Sequence, residues 1–158
     1  MQDDVTHRCV SSCIDSYYSY LAGACVSAAD CATYGTFADD SNNSCVHICP
    51  SDPDYYMEND ICVPYCAYGT YADATSGVRE CTSLCTEGLY GDPVSGRCVS
   101  KCLPGYYAFN DTNLCLHHCP NGYADNETYV CVLVCPAPTF ADTLINRCMR
   151  ICSNGQFG

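Results

Sequence analysis

Two stretches of this chain, CVSKCLPGYYAFNDTNLCLHHC from Cys98 to Cys119 and CVLVCPAPTFADTLINRCMRIC from Cys131 to Cys152, carry the same pattern. Each opens on a cysteine and a valine and closes the pair four residues after the first cysteine. A Pro-rich or Gly-bearing turn follows, then an aromatic, a polar turn and a new cysteine pair. Reading outward, close pairs recur at Cys9/Cys13, Cys45/Cys49, Cys62/Cys66, Cys81/Cys85, Cys98/Cys102, Cys115/Cys119, Cys131/Cys135 and Cys148/Cys152, with one wider pair at Cys25/Cys31. Successive pairs begin 16, 20, 17, 19, 17, 17, 16 and 17 residues apart. Self-similarity at a fixed period is the signature of a repeat architecture, and it takes precedence over any local propensity.

The consensus, C-V-x-x-C-P-x-G-x-Y-A-D, assigns a physical task to each part. Pro fixes φ and Gly permits φ > 0, so the residues after the cysteine make a turn. A short extended stretch follows, centred on Tyr18, Phe37, Tyr56, Tyr71, Tyr90, Tyr107, Tyr123, Phe140 and Phe157. Asp, Asn, Ser and Gly then make a second turn, as in Asp39-Asp40-Ser41-Asn42, and the chain returns to a Cys-Val pair. The spacing predicts two-stranded hairpins and, with no 3.6-residue periodicity, almost no helix. A hairpin of this size is marginal alone and cannot enclose a core. A disulfide closing a loop of about 13 residues supplies roughly 3 kcal/mol by restricting the unfolded chain. Stacking on a neighbour covers the aromatic. The expected fold is therefore small, disulfide-rich and all-β: an elongated, solenoid-like rod of tandem single-disulfide β-hairpin modules over residues 1–158.

Composition narrows the class of protein. Eighteen cysteines in 158 residues point to an oxidising, extracellular setting, secreted or at a cell surface. The net charge of −12 is the wrong sign for nucleic acid, which needs a basic face. It is equally wrong for adsorption on an anionic membrane leaflet. No apolar run approaches the ~20 residues that span a bilayer. Met1-Gln2-Asp3-Asp4 lacks the basic and apolar regions of a signal peptide, so the sequence reads as a mature piece or an excerpt of a longer chain.

Spacing alone leaves the disulfide connectivity open. Each C-x3-C pair could close on itself, alternate cysteines could interlock across modules, or the second cysteine of one pair could join the first of the next. The Cys98–Cys119 and Cys131–Cys152 lines resemble the furin-like, growth-factor-receptor type cysteine-rich repeats, and similar runs abound in surface proteins of ciliates and other protists. The resemblance implies the third scheme: Cys13–Cys25, Cys31–Cys45, Cys49–Cys62, Cys66–Cys81, Cys85–Cys98, Cys102–Cys115, Cys119–Cys131 and Cys135–Cys148. Module 31–45 departs from the family pattern through its wide Cys25-x5-Cys31 spacing. Under this scheme Cys9 and Cys152 are left over. Read from the C-terminus into the N-terminus, CSNGQFG followed by MQDDVTHRC makes a further module, with the same gap of 14 residues that separates Cys66 from Cys81. The expectation is a ninth module, residues 152–158 completed by 1–9 of the next copy, with Cys152 bonded to that copy's Cys9. Such a contact does not close on itself and generates filaments.

Candidate chemistry is sparse. Three sequons, at Asn42, Asn110 and Asn126, fall in the second turn just before a closing cysteine and are expected to carry N-linked glycans. His117-His118, inside Cys115-Leu-His-His-Cys119, has zinc-ligand spacing. The same slot holds Ser-Ser, Pro-Tyr, Ser-Leu, Ser-Lys and Arg-Ile elsewhere, which marks it as a variable linker. Asp39, Asp73, Asp92, Asp125 and Asp142 could form an acidic stripe for calcium. No EF-hand spacing accompanies them, and turn-forming Asp accounts for the position. No G-x-S-x-G, H-E-x-x-H or phosphate-binding loop is present, so neither an enzyme nor a cofactor is expected. The sequence is read as a structural repeat protein of a glycosylated extracellular fibril or surface coat, self-associating head to tail. The alternative is a cysteine-rich receptor ectodomain or surface antigen that binds a ligand through its loops.

Overall fold

The computed structural model describes residues 2–3, 8–9, 12–13, 16–52, 54–75 and 77–151. The chain forms two compact units, 1–82 and 83–158, which divide in the short linker between Cys81 and Cys85. Unit one holds β1 (Gln2–Asp3), β2 (Arg8–Cys9), β3 (Tyr17–Tyr20), β4 (Ala24–Ser27), α1 (Ala28–Thr33), β5 (Phe37–Asp39), β6 (Ser44–Val46), β7 (Tyr56–Glu58), β8 (Ile61–Val63), β9 (Tyr71–Asp73) and β10 (Glu80–Thr82). Unit two holds β11 (Tyr90–Asp92), β12 (Arg97–Val99), β13 (Tyr107–Phe109), β14 (Leu114–Leu116), β15 (Tyr123–Asp125), β16 (Val130–Val132), β17 (Phe140–Asp142) and β18 (Arg147–Met149). Apart from α1, the only helical segment among the described residues is a single 3-10 turn, Leu21–Gly23. The chain is a tandem series of short, disulfide-closed hairpins.

One rule builds both units. Odd and even strands pair antiparallel, with the central residue of the first strand opposite the closing cysteine: Ala38 faces Cys45, Ala72 faces Cys81, Ala108 faces Cys115 and Ala124 faces Cys131. Each first strand then pairs in parallel with the second strand of the following hairpin, β3 with β6, β5 with β8 and β7 with β10 in unit one. In unit two the same step joins β11 to β14, β13 to β16 and β15 to β18. The central residue donates its backbone N–H to the last turn residue of the next hairpin. Ser19 reaches Asn43, Ala38 reaches Asp60 and Met57 reaches Arg79; in unit two Gly91 reaches Asn113, Ala108 reaches Tyr129 and Ala124 reaches Asn146, all at 2.7–3.0 Å. Ala38, Ala108 and Ala124 are buried at this strand centre, where the next hairpin's backbone approaches, and Ser19, Met57 and Gly91 hold the same position in other hairpins.

The acceptor carbonyls are aimed by backbone conformation. Asn43, Asp60, Asn113, Tyr129 and Asn146 all sit at φ between 51° and 65°, the left-handed region that Asn and Asp tolerate best among non-glycine residues. Ahead of β5, β9, β11, β13 and β15 stands the Gly of the consensus, as in the turn where Thr70 N–H bonds Ala67 C=O at 3.1 Å with Gly69 at φ 90°. Pro138 takes that position in the 135–148 module, behind a cis Ala137–Pro138 peptide. Gly122 has a second reason to be glycine, because a Cβ there would lie 2.2 Å from the Val132 carbonyl oxygen.

Eight disulfides join the second cysteine of one pair to the first of the next: Cys13–Cys25, Cys31–Cys45, Cys49–Cys62 and Cys66–Cys81 in unit one, then Cys85–Cys98, Cys102–Cys115, Cys119–Cys131 and Cys135–Cys148 in unit two. Their Cα atoms are 5.5–5.7 Å apart, which suits a disulfide without backbone movement. The core is a series of small clusters around these bonds. In unit one Tyr18, Cys31 and Ala38 pack with Val26, Ala28, Cys45 and Ile61. In unit two Cys102, Ala108 and Cys115 pack with Tyr90, Val99, Tyr106 and Val130.

The wide Cys25–Cys31 spacing is filled by α1. Ser27 caps it, accepting from Asp30 N–H while the Asp30 carboxylate accepts from Ser27 N–H, and Cys31 is fully buried on its inner face. The Asp30 carboxylate also accepts from the Ser27 hydroxyl at 2.6 Å, and that bond first, then the one from Ser27 N–H, holds the exposed Asp30 carboxyl below its ordinary pKa. Tyr34, at the helix end, stacks on Tyr20 of β3 with ring centres 4.4 Å apart. The junction expected between Cys152 and another copy's Cys9 lies outside the described residues. Cys152 follows the last of them, and of Cys9 only its strand is described: β2 pairs with β1, which runs parallel to β4 as the other first strands do.

Candidate functional site

The second turn of each hairpin gathers the polar chemistry. In five hairpins its first strand ends on a buried aspartate: Asp39, Asp73, Asp92, Asp125 and Asp142, none more than 2% exposed. Each carboxylate is turned back onto its own loop. Asp39 accepts from Ser41 N–H and its hydroxyl, Asp73 from Thr75 N–H and its hydroxyl, Asp92 from Val94 N–H and the Ser95 hydroxyl, Asp125 from Glu127 N–H and the Thr128 hydroxyl, and Asp142 from Leu144 N–H. This is an aspartate serving as a turn former, its side chain replacing a missing backbone partner. The carboxylates do not form an exposed stripe, and among the described residues no three His, Cys, Asp or Glu side chains converge on a metal position.

The residue after the strand serves the preceding hairpin. Tyr18 donates its hydroxyl to Asp40 at 2.5 Å, Tyr90 to Asn110 Oδ1 at 2.7 Å and Tyr107 to Asn126 Oδ1 at 2.6 Å. Burial pushes the Tyr18 phenol up to about 12, with the hydrogen bond to Asp40 and the charges of Asp40 and Asp39 adding to it. These three pairs of consecutive hairpins are thus tied twice, by a backbone bond at the strand centre and by an aromatic hydroxyl at the turn.

All three sequon asparagines are exposed and lie in these turns. They are not equivalent. Asn110 and Asn126 take the first turn position and receive a tyrosine hydroxyl, whereas Asn42 takes the third, its Oδ1 accepting from its own Ser44 hydroxyl. The shared repeat position read from the sequence therefore holds for two of the three. Register fixes the difference, because Asn42 follows Asp40 and Ser41 whereas Asn110 and Asn126 follow the strand directly.

His117 and His118 are exposed on the linker after β14, with His117 packed over Tyr106 at 4.0 Å between ring centres. The flanking Cys115 and Cys119 are bonded to Cys102 and Cys131, so neither offers a thiolate to a metal. The two histidines, Asn146 and Arg147 line a cavity of about 110 Å³. A second, open cavity of about 450 Å³ is lined by Phe109, Asn110, Asp111, Asn121, Cys131 and Leu133. Its presence beside a sequon could not be read from the sequence, because it depends on how hairpin 119–131 stacks on hairpin 102–115. No helix among the described residues is long and apolar enough to cross a membrane. No protein-family model matches the chain, and no solved structure matches it.

Proposed function

We propose that this chain is a non-enzymatic structural repeat protein of extracellular material, a fibril or cell-surface coat. In this reading it bears N-linked glycans on its turns and is extended by further hairpins of the same kind, head to tail with other copies. The observation that carries the reading is the regularity of the hairpin-to-hairpin step. The same parallel pairing and the same N–H to turn-carbonyl bond recur through each unit, with a disulfide inside every module. Stability in such an array comes from each module plus its nearest neighbours, so modules can be added without a new core. Sixteen cysteines committed to disulfides support an oxidising, extracellular location. The resemblance to furin-like repeats agrees with this architecture.

A second reading, a receptor ectodomain or surface antigen, is favoured by one observation. Tyr65 and Tyr68 stand almost fully exposed on either side of Cys66, as aromatic anchors of a binding face do. Native material run on a non-reducing gel and viewed by electron microscopy separates the two. Extended filaments of very high mass, lost on reduction, are the expected outcome. A discrete monomeric band and isolated particles would leave only the binding-module reading.

A further inference from the structure

The cavity of about 450 Å³ has a covalent ligand site built into its wall. Asn110 lines it, and Asn110 is the acceptor of the Asn110-Asp111-Thr112 sequon. Tyr90 donates its hydroxyl to Asn110 Oδ1 at 2.7 Å, which fixes the plane of the amide and leaves Nδ2 free. The rest of the lining is of two kinds. Phe109 and Leu133 offer apolar surface, Leu133 being 76% exposed with nothing over it, while Asn121 and Asp111 offer an amide and a carboxylate. Apolar surface with a few placed polar groups, at a volume of several hundred Å³, is what a small-molecule site requires. A pyranose fits such a lining. Its C–H face lies on the aromatic and aliphatic side chains, and its hydroxyl and acetamido groups meet the amide and carboxylate.

We infer that this cavity is the seat of the first sugar of the Asn110 glycan, so that this N-glycan is folded against the protein while the one on Asn126 projects freely. The inference rests on the glycosylation reading above and adds to it a defined position for the sugar. The bond itself forms by transfer from a lipid diphosphate-linked oligosaccharide. Asn110 Nδ2 attacks the anomeric carbon, the C–O bond to the diphosphate breaks, the lipid diphosphate leaves, and one Nδ2 proton is released. Asn126 is the internal comparison. It occupies the same turn position and receives the same tyrosine hydroxyl, from Tyr107 at 2.6 Å, yet it lines neither this cavity nor the one at His117.

The test uses the full-length glycoprotein from a eukaryotic secretory host and the amidase that hydrolyses the asparagine side-chain amide, releasing the glycan as a glycosylamine and leaving aspartate. Peptide mass spectrometry follows aspartate formation at 110 and at 126 over time. On native protein, release at Asn110 should run at least about tenfold slower than at Asn126, because the bond must first leave its seat. After reduction and denaturation the two rates should agree. Leu133→Ser and, separately, Asn121→Ala should each bring native release at Asn110 towards the Asn126 rate. Equal native rates in the unaltered protein would overturn the seat and leave glycosylation standing. A bare Asn110 beside a glycosylated Asn126 would also overturn it, and bare asparagines at all three sequons would remove the glycosylation reading with it.

Discussion

Hairpins 31–45 and 49–62 are neighbours in unit one, each closed by one disulfide, yet they finish their first strands in opposite ways. The first ends on Asp39 and crosses to β6 through a turn spanning residues 40–43. The second ends on Glu58 and crosses through only Asn59 and Asp60, at φ 49° and 65°. A two-residue turn with both φ values positive matches the twist of a hairpin and satisfies its own backbone. The longer turn leaves N–H groups over, and the buried Asp39 carboxylate takes one of them, from Ser41, at 3.0 Å. Glu58 has no such duty, and its longer side chain reaches forward, accepting from Ala67 N–H at 3.1 Å and the Thr70 hydroxyl at 2.9 Å. One carboxylate holds its own hairpin and the other holds the next. The preceding aromatics follow suit. Tyr18 meets Asp40 of the longer turn, while the next module holds Phe37 at the matching position, which has no hydroxyl to place.

The comparison breaks first at Asp39. Asp39→Ala removes the buried carboxylate that accepts from Ser41 N–H and its hydroxyl, at a cost of about 2 kcal/mol. Amide hydrogen exchange at Ser41 and Ala38 should accelerate, with hairpin 49–62 much less affected. Asp39→Asn should cost less than half as much, because Oδ2 has no hydrogen-bond partner among the described residues and only Oδ1 serves the turn. Exchange rates equally fast in the Ala and Asn variants would contradict this account.

Tyr18 gives the next effect. Its folded-state pKa, about 12, lies above the ordinary tyrosine value of 10, so the folded protein keeps the proton longer than the unfolded chain. Stability from this group is complete below pH 10 and is lost as the pH rises from 10 to 12. An ultraviolet titration should show one phenol ionising late, and Tyr18→Phe should remove that late step. If the titration curve is unchanged in the variant, the buried Tyr18–Asp40 link does not exist in solution.

Glu58 gives the smallest effect. Glu58→Ala should cost about 0.5 kcal/mol, since its partners are near solvent and water can replace it. The change should appear at Ala67 and Thr70 rather than at Asn59 and Asp60. Exchange that quickens in the Asn59–Asp60 turn instead would show that Glu58 does serve its own hairpin.

Much of this was legible in the sequence. The hairpins, their aromatics and the polar second turn follow from the 17-residue repeat and its Pro, Gly and Asp positions. Pairing such as Cys102–Cys115 came through the resemblance to furin-like repeats, because spacing alone allows other schemes. The turn role of Asp92 and its equivalents was readable from local chemistry. The short helix was marked by Ser27-Ala-Ala-Asp30, a capping box that the cysteine pattern obscured. Other features depend on the next module and so escape a reading one module at a time. The small residue opposite Cys45, Cys98, Cys115 and Cys131 needs knowledge of the approaching strand, and the Tyr90–Asn110 bond needs knowledge of the stacking register. The division at Ser83 has no mark in the local sequence, since Cys81-Thr-Ser-Leu-Cys85 reads like every other linker.

Each of the eight disulfides among the described residues joins a cysteine to the next one along the chain, 12 to 15 residues away. That gives the protein an order of assembly. For a polypeptide emerging into an oxidising compartment, each second cysteine of a pair would meet its partner before any later thiol has appeared. The eighteen cysteines of a complete reduced chain allow far more pairings, whereas synthesis brings each of these partners together while few competing thiols have appeared. Refolding from the fully reduced chain discards this head start, so yield after reduction should fall well below yield on export.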